Sequence, residues 1–236
     1  MVDFHSHVLP GIDDGSRSVE ESIAMLRLSA QQGIREVILT PHFYPQHTKP
    51  ERFLQKRERA MELLMEQLQY ETGLPRIRCG AEVYFYPQMS HSDELRALVI
   101  EGTDHILVEM PMGEWTDSMY RELENIHHNQ GLTPIVAHVD RYLGRFRDYG
   151  IPGRLAQLPV LVQANAEAFF RGSKCMSLLH EHRIHLLGSD CHNLSDRRPD
   201  LGSALKRINQ KLGRKTLTWI AHNERKVLGG EEGRNG

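Results

Sequence analysis

Short apolar runs alternate with longer amphipathic segments along this chain, and the alternation predicts its elements. The apolar runs predict seven strands, near residues 2–6, 35–40, 76–85, 104–109, 134–139, 159–165 and 184–189. The amphipathic segments predict helices near residues 18–33, 51–72, 92–101, 117–130, 173–182, 200–212 and 215–228. Residues 144–158 are rich in Gly and Arg and predict only an irregular segment or a short helix.

The first predicted helix has recognisable signals at both ends. Ser18-Val19-Glu20-Glu21 resembles a capping box, in which a serine side chain and a glutamate three residues later satisfy backbone N–H groups. Ile23, Leu26 and Ala30 then fall on one helical face, and Gly33 marks the stop. The same combination of periodicity and a terminal glycine recurs in the longer segment 51–72, which is followed by Gly73.

The order of the elements predicts the fold class. Strands that alternate with helices pair in parallel through right-handed crossovers. Seven such units favour a closed or distorted seven-stranded α/β barrel, in which the chemistry is found at the C-terminal ends of the strands. The chain shows no internal repeat, low-complexity tract or linker, so residues 1–236 are expected to form a single domain.

Composition excludes several classes of protein. The 236 residues include 29 basic and 31 acidic side chains, a balance that argues against a general nucleic-acid or membrane-surface binder. No apolar run approaches the roughly 18 residues that a membrane span requires, and the N-terminus has no signal-peptide pattern. The three cysteines are an odd number without a pairing pattern, so we expect a reduced, cytoplasmic protein.

Histidines and carboxylates gather where the predicted strands end. Residues two apart on a strand face the same side, so His5 and His7 should share one space, as should Asp190 and His192. The other strand ends carry His42, Glu82, Glu109 and His138. Imidazole and carboxylate donors that converge from several strands are what a divalent metal site requires.

Taken singly, most of these residues also have an ordinary explanation. His42 fits an exposed loop equally well, and Asp13-Asp14 between glycines fits a simple turn. Glu82, by contrast, is flanked by small and apolar residues, where a carboxylate is costly unless it is paired or coordinated. The remaining histidines on helical or polar stretches are expected to be solvated: His91, His127, His128, His180, His182 and His222.

Five segments in chain order resemble the polymerase-and-histidinol-phosphatase (PHP) proteins. More narrowly, they resemble the bacterial tyrosine-protein phosphatases of capsule and exopolysaccharide loci. The segments are His5-x-His7-x-Leu9-Pro10-Gly11-x-Asp13-Asp14-Gly15, Thr40-Pro41-His42, Gly80-Ala81-Glu82, Ala137-His138-Val139-Asp140-Arg141-Tyr142 and Gly188-Ser189-Asp190-Cys191-His192-Asn193. The resemblance covers nearly the whole chain and implies a distorted seven-stranded PHP-type barrel with three metal ions.

The resemblance also implies which residues hold each ion. One ion would be held by His5, His7, Glu82 and Asp190, a second by Glu82, Glu109 and His138, and a third by Asp14, His42 and His192. Glu82 would bridge the first two ions, and Asp13 remains an alternative to Asp14. The family points to manganese, while the donor set itself also suits iron or zinc.

Two arginines follow the ligand segments and match arginines that the family uses for phosphate: Arg141 and Arg197. Both would bind the phosphoryl group and stabilise its charge, and Arg198 is the alternative to the second. Cys191 and Arg197 also have the Cys-x5-Arg spacing of cysteine-dependent tyrosine phosphatases. The intervening residues contain no glycine, and Asp190 would raise the thiol pKa, so we expect no thiolate nucleophile.

The leading hypothesis is a cytoplasmic phosphatase that hydrolyses protein phosphotyrosine with metal-activated hydroxide. The resemblance implies that its partner is a membrane-linked tyrosine autokinase with a phosphorylated tail, in capsule or exopolysaccharide synthesis. Loop aromatics either form a tyrosine-accepting surface or simply pack: Phe43, Tyr44, Tyr84, Tyr86 and Trp115. The alternatives are a small-molecule phosphatase such as histidinol phosphatase and a non-catalytic regulatory module stabilised by metal.

Overall fold

The computed structural model describes residues 1–143, 150–171 and 174–229. Its strands are β1 (Val2–Ser6), β2 (Glu36–Leu39), β3 (His42–Phe43), β4 (Arg76–Cys79), β5 (Glu82–Tyr84), β6 (His105–Glu109), β7 (Thr133–Val136), β8 (Leu161–Asn165) and β9 (Leu186–Gly188). Its α-helices are α1 (Val19–Gln31), α2 (Pro50–Leu68), α3 (Asp117–Gln130), α4 (Ile151–Leu155), α5 (Ala168–Arg171), α6 (Lys174–His180), α7 (Leu201–Leu212) and α8 (Arg214–Val227). The protein therefore has the alternating α/β order that its sequence predicts.

The strands form a curled parallel sheet. The pairings run in the orders β1-β2-β4 and β3-β5-β6-β7-β8-β9, and every pair is parallel. The last strand returns to the first, because Asp190 N–H donates to His5 O at 2.7 Å and His7 N–H donates to Cys191 O at 2.9 Å. The carboxyl ends of all the strands consequently face the same side.

The described residues contain nine strand segments where seven strands were predicted. The strand predicted over 76–85 is interrupted for two residues, and a short strand that was not predicted, β3, follows the strand predicted over 35–40. Thr40-Pro41 separates β2 from β3, and Gly80-Ala81 separates β4 from β5. Proline has no N–H to donate to a sheet, and glycine tolerates the bends at which strands break.

Most predicted helices are confirmed, but two predictions were wrong in extent. The segment predicted as a helix over 92–101 forms only a short 3₁₀ turn at Asp93–Ala97, just after another at Met89–His91. The helix predicted over 51–72 ends at Leu68. Of the segment 144–158, residues 144–149 lie outside the described residues, and the rest contains the short α4.

Only one of the two hydrogen bonds of the predicted capping box forms at the start of α1. Ser18 accepts a hydrogen bond from Glu21 N–H at 3.3 Å, as a serine N-cap does. The Glu21 side chain accepts from Arg17 N–H at 2.9 Å instead of from Ser18 N–H. Gly33, at φ 80°, follows the helix end in the left-handed conformation that glycine adopts without strain.

The strands share an apolar cluster to which α8 contributes Val227. Its other members are Val2, Phe4, Ile38, Ile100, Leu107, Ile135, Ala137 and Leu186. A second, larger cluster packs the helices against the sheet. Each fully buried Leu or Ile contributes roughly 1.5–3 kcal/mol relative to an exposed one, so these clusters hold the strand ends in place. No helix among the described residues is both long enough and apolar enough to cross a bilayer.

Candidate metal centre

The nine residues predicted as metal ligands converge at the carboxyl end of the sheet. Eight of them lie inside a strand or within four residues after one, and Asp14 lies in the longer loop after β1. The set comprises His5, His7, Asp14, His42, Glu82, Glu109, His138, Asp190 and His192. Strands far apart in sequence therefore deliver imidazoles and carboxylates to one place.

The first group of donors surrounds His5 and His7. Their Nε2 atoms lie 3.1 Å apart, and Asp190 Oδ1 lies 3.6 Å from the first and 3.4 Å from the second. Glu82 Oε2 lies 3.1 Å from His5 Nε2 and 3.3 Å from His7 Nε2. These are the four residues that the family resemblance groups around one ion.

The second group centres on the two carboxylates Glu82 and Glu109. His138 Nε2 lies 2.8 Å from Glu82 Oε1 and 3.6 Å from Glu109 Oε1. His42 also approaches this group, with Nδ1 2.9 Å from Glu82 Oε2. Burial and the charge of Glu82 raise the pKa of Glu109. Glu82 touches both the first and the second group, as a bridging ligand would.

The third group lies at the open side of the centre. Asp14 Oδ1 is 3.5 Å from His42 Nε2 and 3.4 Å from His192 Nε2. The rings of His7 and His192 are 3.9 Å apart, so His7 joins this group as well as the first. Burial and the neighbouring His7 lower the pKa of His192 to about 4. Its imidazole is consequently neutral at pH 7 and offers a lone pair.

The geometry distinguishes the two adjacent aspartates. Asp13 is turned inward, with Oδ2 2.7 Å from His7 Nδ1 and 3.0 Å from His42 N, whose N–H it accepts. Asp14 is exposed and faces the imidazoles of the third group. Of the two, Asp14 therefore lies beside the other candidate ligands of the third group, while Asp13 orients the ring of His7 through its other nitrogen.

The donor atoms fit a group of divalent cations. Within the described part of the chain, Glu82 Oε2 and His192 Nε2 are buried and have no hydrogen-bond partner. Glu82 Oε2 nevertheless lies within 3.3 Å of nitrogens of three imidazoles. Imidazole nitrogens and carboxylate oxygens that crowd together in this way are typical of a site in which a divalent cation lies between them.

The pKa shifts of these residues also indicate a site for divalent cations. Burial would raise the pKa of Glu82, but His5 and His138 hold it well below its ordinary value. Burial would likewise raise the pKa of Asp190, and His5 and His7 hold it well below normal. Burial would lower the pKa of His7, yet the surrounding carboxylates raise it well above normal. A cation bound beside His7 would displace the proton that these carboxylates favour on its imidazole.

Two ligand residues have strained backbones. His138 has φ 30° and Asp190 has φ 53°, in the left-handed region that costs most residues roughly 1–3 kcal/mol. We predicted that Asp190 and His192 face the same side because both lie on one strand. That reason was wrong, because β9 ends at Gly188, before either residue. A left-handed turn after the strand orients Asp190 instead.

Arg141 and Arg197 meet on one carboxylate at the mouth of the centre. Arg141 Nη2 donates to Asp190 Oδ2, and Arg197 Nη2 lies 3.0 Å from Asp190 Oδ1. Both arginine side chains remain about one-third exposed, at 33% and 37%. Arg198 is exposed. The two predicted arginines are therefore held in place while other N–H groups stay available to a ligand.

Cys191 is buried beside the centre. Its side chain belongs to the larger apolar cluster and is 0% exposed. Burial, with a further contribution from the charge of Asp3, raises the pKa of its thiol well above the ordinary value. A buried, protonated thiol is a poor nucleophile, in agreement with the sequence interpretation of the Cys-x5-Arg spacing.

Two of the five loop aromatics serve packing. Phe43 is buried against Phe53, with ring centroids 5.0 Å apart. Trp115 is buried against Tyr142 at 4.9 Å, and its indole N–H donates to Pro111 O at 3.0 Å. These contacts anchor the loops that follow β3 and β6.

The other three aromatics are half-buried, and one of them touches the centre. The Tyr44 hydroxyl donates to Glu109 Oε2 at 3.4 Å and lies 3.2 Å from His42 Nδ1. The ring of Tyr84 lies 5.5 Å from that of Tyr44. Tyr44 and Tyr84 thus border the group formed by the two glutamates, whereas Tyr86 packs against the larger apolar cluster.

Sequence reasoning missed two polar residues of the centre. Gln163 and Asn165 on β8 are buried, and Asn165 Nδ2 donates to Asp190 Oδ2 at 2.8 Å. Polar residues two apart in the otherwise apolar segment 160–166 were the available signal, since a buried amide needs a partner.

Comparison with known proteins identifies the relatives of the chain. The family model for capsular polysaccharide synthesis proteins, CpsB/CapC, matches residues 1–229. Tyrosine-protein phosphatase CpsB of Streptococcus pneumoniae is 29% identical, over 97% of this chain and 98% of that protein. Tyrosine-protein phosphatase YwqE of Bacillus subtilis is 28% identical, over 97% of this chain and 91% of that protein.

A solved structure has the same fold. It comes from work on YwqE of Bacillus subtilis and CpsB of Streptococcus pneumoniae, described there as metal-dependent tyrosine phosphatases. It superposes with a TM-score of 0.82 at 25% identity and covers 98% of this chain and 95% of that one. The similarity therefore includes every strand that supplies a candidate ligand.

Proposed function

Because this chain belongs to the CpsB/CapC family of capsular polysaccharide synthesis proteins, we propose that it is a metal-dependent protein-tyrosine phosphatase. The observation that carries the proposal is the convergence of nine imidazole and carboxylate residues beneath two anchored arginines. The names of the two relatives, both tyrosine-protein phosphatases, support the same activity.

We propose that the protein binds three metal ions and that they are manganese. The first would be held by His5, His7, Glu82 and Asp190, the second by Glu82, Glu109 and His138, and the third by Asp14, His42 and His192. Iron or zinc would suit the same oxygen and nitrogen donors. When bound, such ions lower the pKa of coordinated water and neutralise charge on phosphoryl oxygens.

The protein itself supplies the phosphate clamp. Asp190 holds Arg141 and Arg197 on its two oxygens, which limits the freedom of both guanidinium groups before substrate arrives. Their remaining N–H groups donate to phosphoryl oxygens and stabilise the charge that accumulates during transfer. The Cys191 thiol takes no part, because it is buried and protonated.

A phosphotyrosine on a flexible protein segment is the substrate that we propose, with the tail of a membrane-linked tyrosine autokinase as its physiological source. Tyr44 and Tyr84, half-buried at the edge of the centre, offer rings on which a substrate ring can pack. The three cysteines are free thiols, which supports a reducing, cytoplasmic location.

The fold that we propose is one PHP-type domain over residues 1–236, with the metals at the carboxyl ends of seven barrel strands. When β2 and β3 are counted as one strand, and β4 and β5 as another, the nine segments become seven. The contact of Asp190 with His5 across the first and last strands supports closure of the ring.

A turnover assay tests the function directly. Phosphotyrosine peptide, phosphoserine peptide and histidinol phosphate are each incubated with the protein and Mn²⁺, and again with EDTA. We expect hydrolysis of the phosphotyrosine peptide only, abolished by EDTA and restored by added Mn²⁺. Preference for histidinol phosphate would instead identify a small-molecule phosphatase, and no turnover of any substrate would identify a regulatory module. Turnover by protein verified as metal-free would refute the metal mechanism.

A further inference from the structure

Strand β8 ends at the metal centre without supplying a histidine or a carboxylate. It supplies two amides instead, Gln163 and Asn165, which are 0% and 1% exposed. Burying an amide costs free energy unless its donors and acceptors find partners. We propose that these two residues form an amide pair that positions the metal ligands, an inference that rests on the proposed metal-dependent function.

The backbone of His138 sets the direction of the amide pair. A backbone N–H can only donate, so its 2.6 Å contact with Gln163 requires the oxygen of that amide. Gln163 Nε2 then donates to Asn165 Oδ1 at 3.1 Å, and Asn165 Nδ2 donates to Asp190 Oδ2 at 2.8 Å. One oriented chain of hydrogen bonds therefore connects the loop after β7 with the loop after β9.

Both ends of this chain are the strained ligand residues. His138 and Asp190 are the two ligand residues with positive φ among those described. A residue in this region relaxes unless its surroundings hold it, and the amide pair bonds the backbone of one and the carboxylate of the other. The pair thus opposes the relaxation that would withdraw both ligands from the centre.

The same Gln163 oxygen also faces His5. It lies 3.5 Å from His5 Nδ1, so it favours the tautomer with the proton on that nitrogen. The Nε2 lone pair is then free, and Nε2 is the atom 3.1 Å from Glu82 Oε2. A partner on the outer nitrogen of a ligand histidine fixes the ring orientation and raises its basicity.

Gly188 shows how closely the amide pair is fitted. A Cβ at this position would lie 2.5 Å from the Cβ of His5 and 2.7 Å from Gln163 Nε2. Real Cβ contacts are not that short, so a side chain here would displace either the ligand or the amide. The absence of a Cβ is what allows β9 to approach both.

The test replaces each amide with an apolar side chain of similar shape, which removes its hydrogen bonds. Gln163→Met, Asn165→Leu and the double variant are compared with Asn209→Leu, a control on the exposed side of α7. The measurements are Mn²⁺ affinity by titration, kcat and KM for a phosphotyrosine peptide at saturating Mn²⁺, and Tm. Each single variant should weaken Mn²⁺ binding about 10- to 100-fold and lower kcat by a similar factor. KM should stay within about twofold, and the control should match the parent.

The double variant separates positioning from packing. If the two amides act as one chain of hydrogen bonds, the double variant should lose no more Mn²⁺ affinity than the more strongly affected single variant. Unchanged Mn²⁺ affinity in folded variants, or losses that multiply in the double variant, would overturn the inference. If the larger substitutions prevent folding, Asn165→Ala only removes atoms and carries the same expectation. A parent that binds Mn²⁺ but hydrolyses no phosphotyrosine peptide refutes the proposed function alone, because the Mn²⁺ affinities still decide the inference.

Discussion

Glu36 and Glu82 are equally hidden from water, at 3% and 1% exposed, but they lie at opposite ends of the sheet. Glu36 begins β2, and its oxygens lie 2.5 Å from Arg78 Nε and 3.1 Å from Arg76 Nη2. Glu82 follows β4 and faces imidazoles, with one oxygen that accepts no hydrogen bond from any described residue. The first carboxylate is paired with permanently charged guanidinium groups, whereas the second faces only imidazoles.

This difference separates a structural charge from a functional one. A buried carboxylate is retained only if a partner compensates its desolvation. Near Glu36 the chain supplies two guanidinium groups, and the strands keep regular register, with Glu36 opposite Arg76. Near Glu82 the chain supplies only imidazoles, which can lose their protons, so a bound cation can replace them as the compensating positive charge.

The sharpest test substitutes the two glutamates in parallel. Glu82→Ala should abolish turnover and lose most of the bound metal, because the residue contacts both the first and the second donor group. Glu36→Ala should keep metal and kcat but lower the free energy of unfolding by about 1–3 kcal/mol, since it removes the charged hydrogen bonds that Arg76 and Arg78 donate to a buried carboxylate. Elemental analysis, turnover and denaturant unfolding measure these quantities. A full metal complement in Glu82→Ala would contradict the bridging role.

The arginines should affect transition-state stabilisation without affecting metal binding. Arg197→Ala and Arg141→Ala should each lose about 2–4 kcal/mol of it. The double variant should lose less than the sum, because both residues hold one phosphoryl group and share Asp190. Elemental analysis should show a normal metal content in all three variants. Additive losses would indicate that the two arginines bind different groups.

A lower pH should weaken Mn²⁺ binding, but it should favour the contribution of His7 to the stability of the metal-free protein. Metal binding needs neutral imidazoles, so the raised pKa of His7 should weaken Mn²⁺ affinity as pH falls, by about tenfold per pH unit for each proton released. In metal-free protein, the same raised pKa stabilises the fold below the ordinary value of 6.5, and this stabilisation is lost as pH rises through the folded value.

Thermal unfolding across a pH series measures both effects. The Tm gained on adding Mn²⁺ should grow with pH, while the contribution of His7 to the Tm of metal-free protein should shrink. His7→Gln supplies the control, because it removes the titrating ring. A Tm gain from Mn²⁺ that is independent of pH would show that no proton is displaced.

The smallest effect is expected at Cys191. Cys191→Ser should keep kcat within about threefold, because the thiol is not the nucleophile, and should lose roughly 1–2 kcal/mol of stability by burying a hydroxyl. Turnover is measured on a phosphotyrosine peptide with metal-loaded protein, together with a search for phosphocysteine in the parent. An inactive, folded and metallated serine variant with trapped phosphocysteine would reverse the assignment of the nucleophile.

Local periodicity accounts for what the sequence predicted well. The helix predicted over 117–130 is found as α3 with the same limits, because its apolar spacing and the following Gly131 are both local signals. The strand predicted over 76–85 is interrupted at Gly80-Ala81, where the chain bends towards the centre. The ligand residues could be chosen because strand ends that pair in parallel must share one edge of the sheet.

By itself, the sequence determined the order of the elements, the chemical types of the ligands and the edge at which they meet. Only the tertiary structure decided that Asp14 faces the imidazoles while Asp13 orients His7, and that Gln163 and Asn165 join His138 to Asp190. Hydrophobic periodicity records which side of an element is buried. Hydrogen bonds between side chains depend on backbone turns and distances across strands, and these exist only once the sheet has curled.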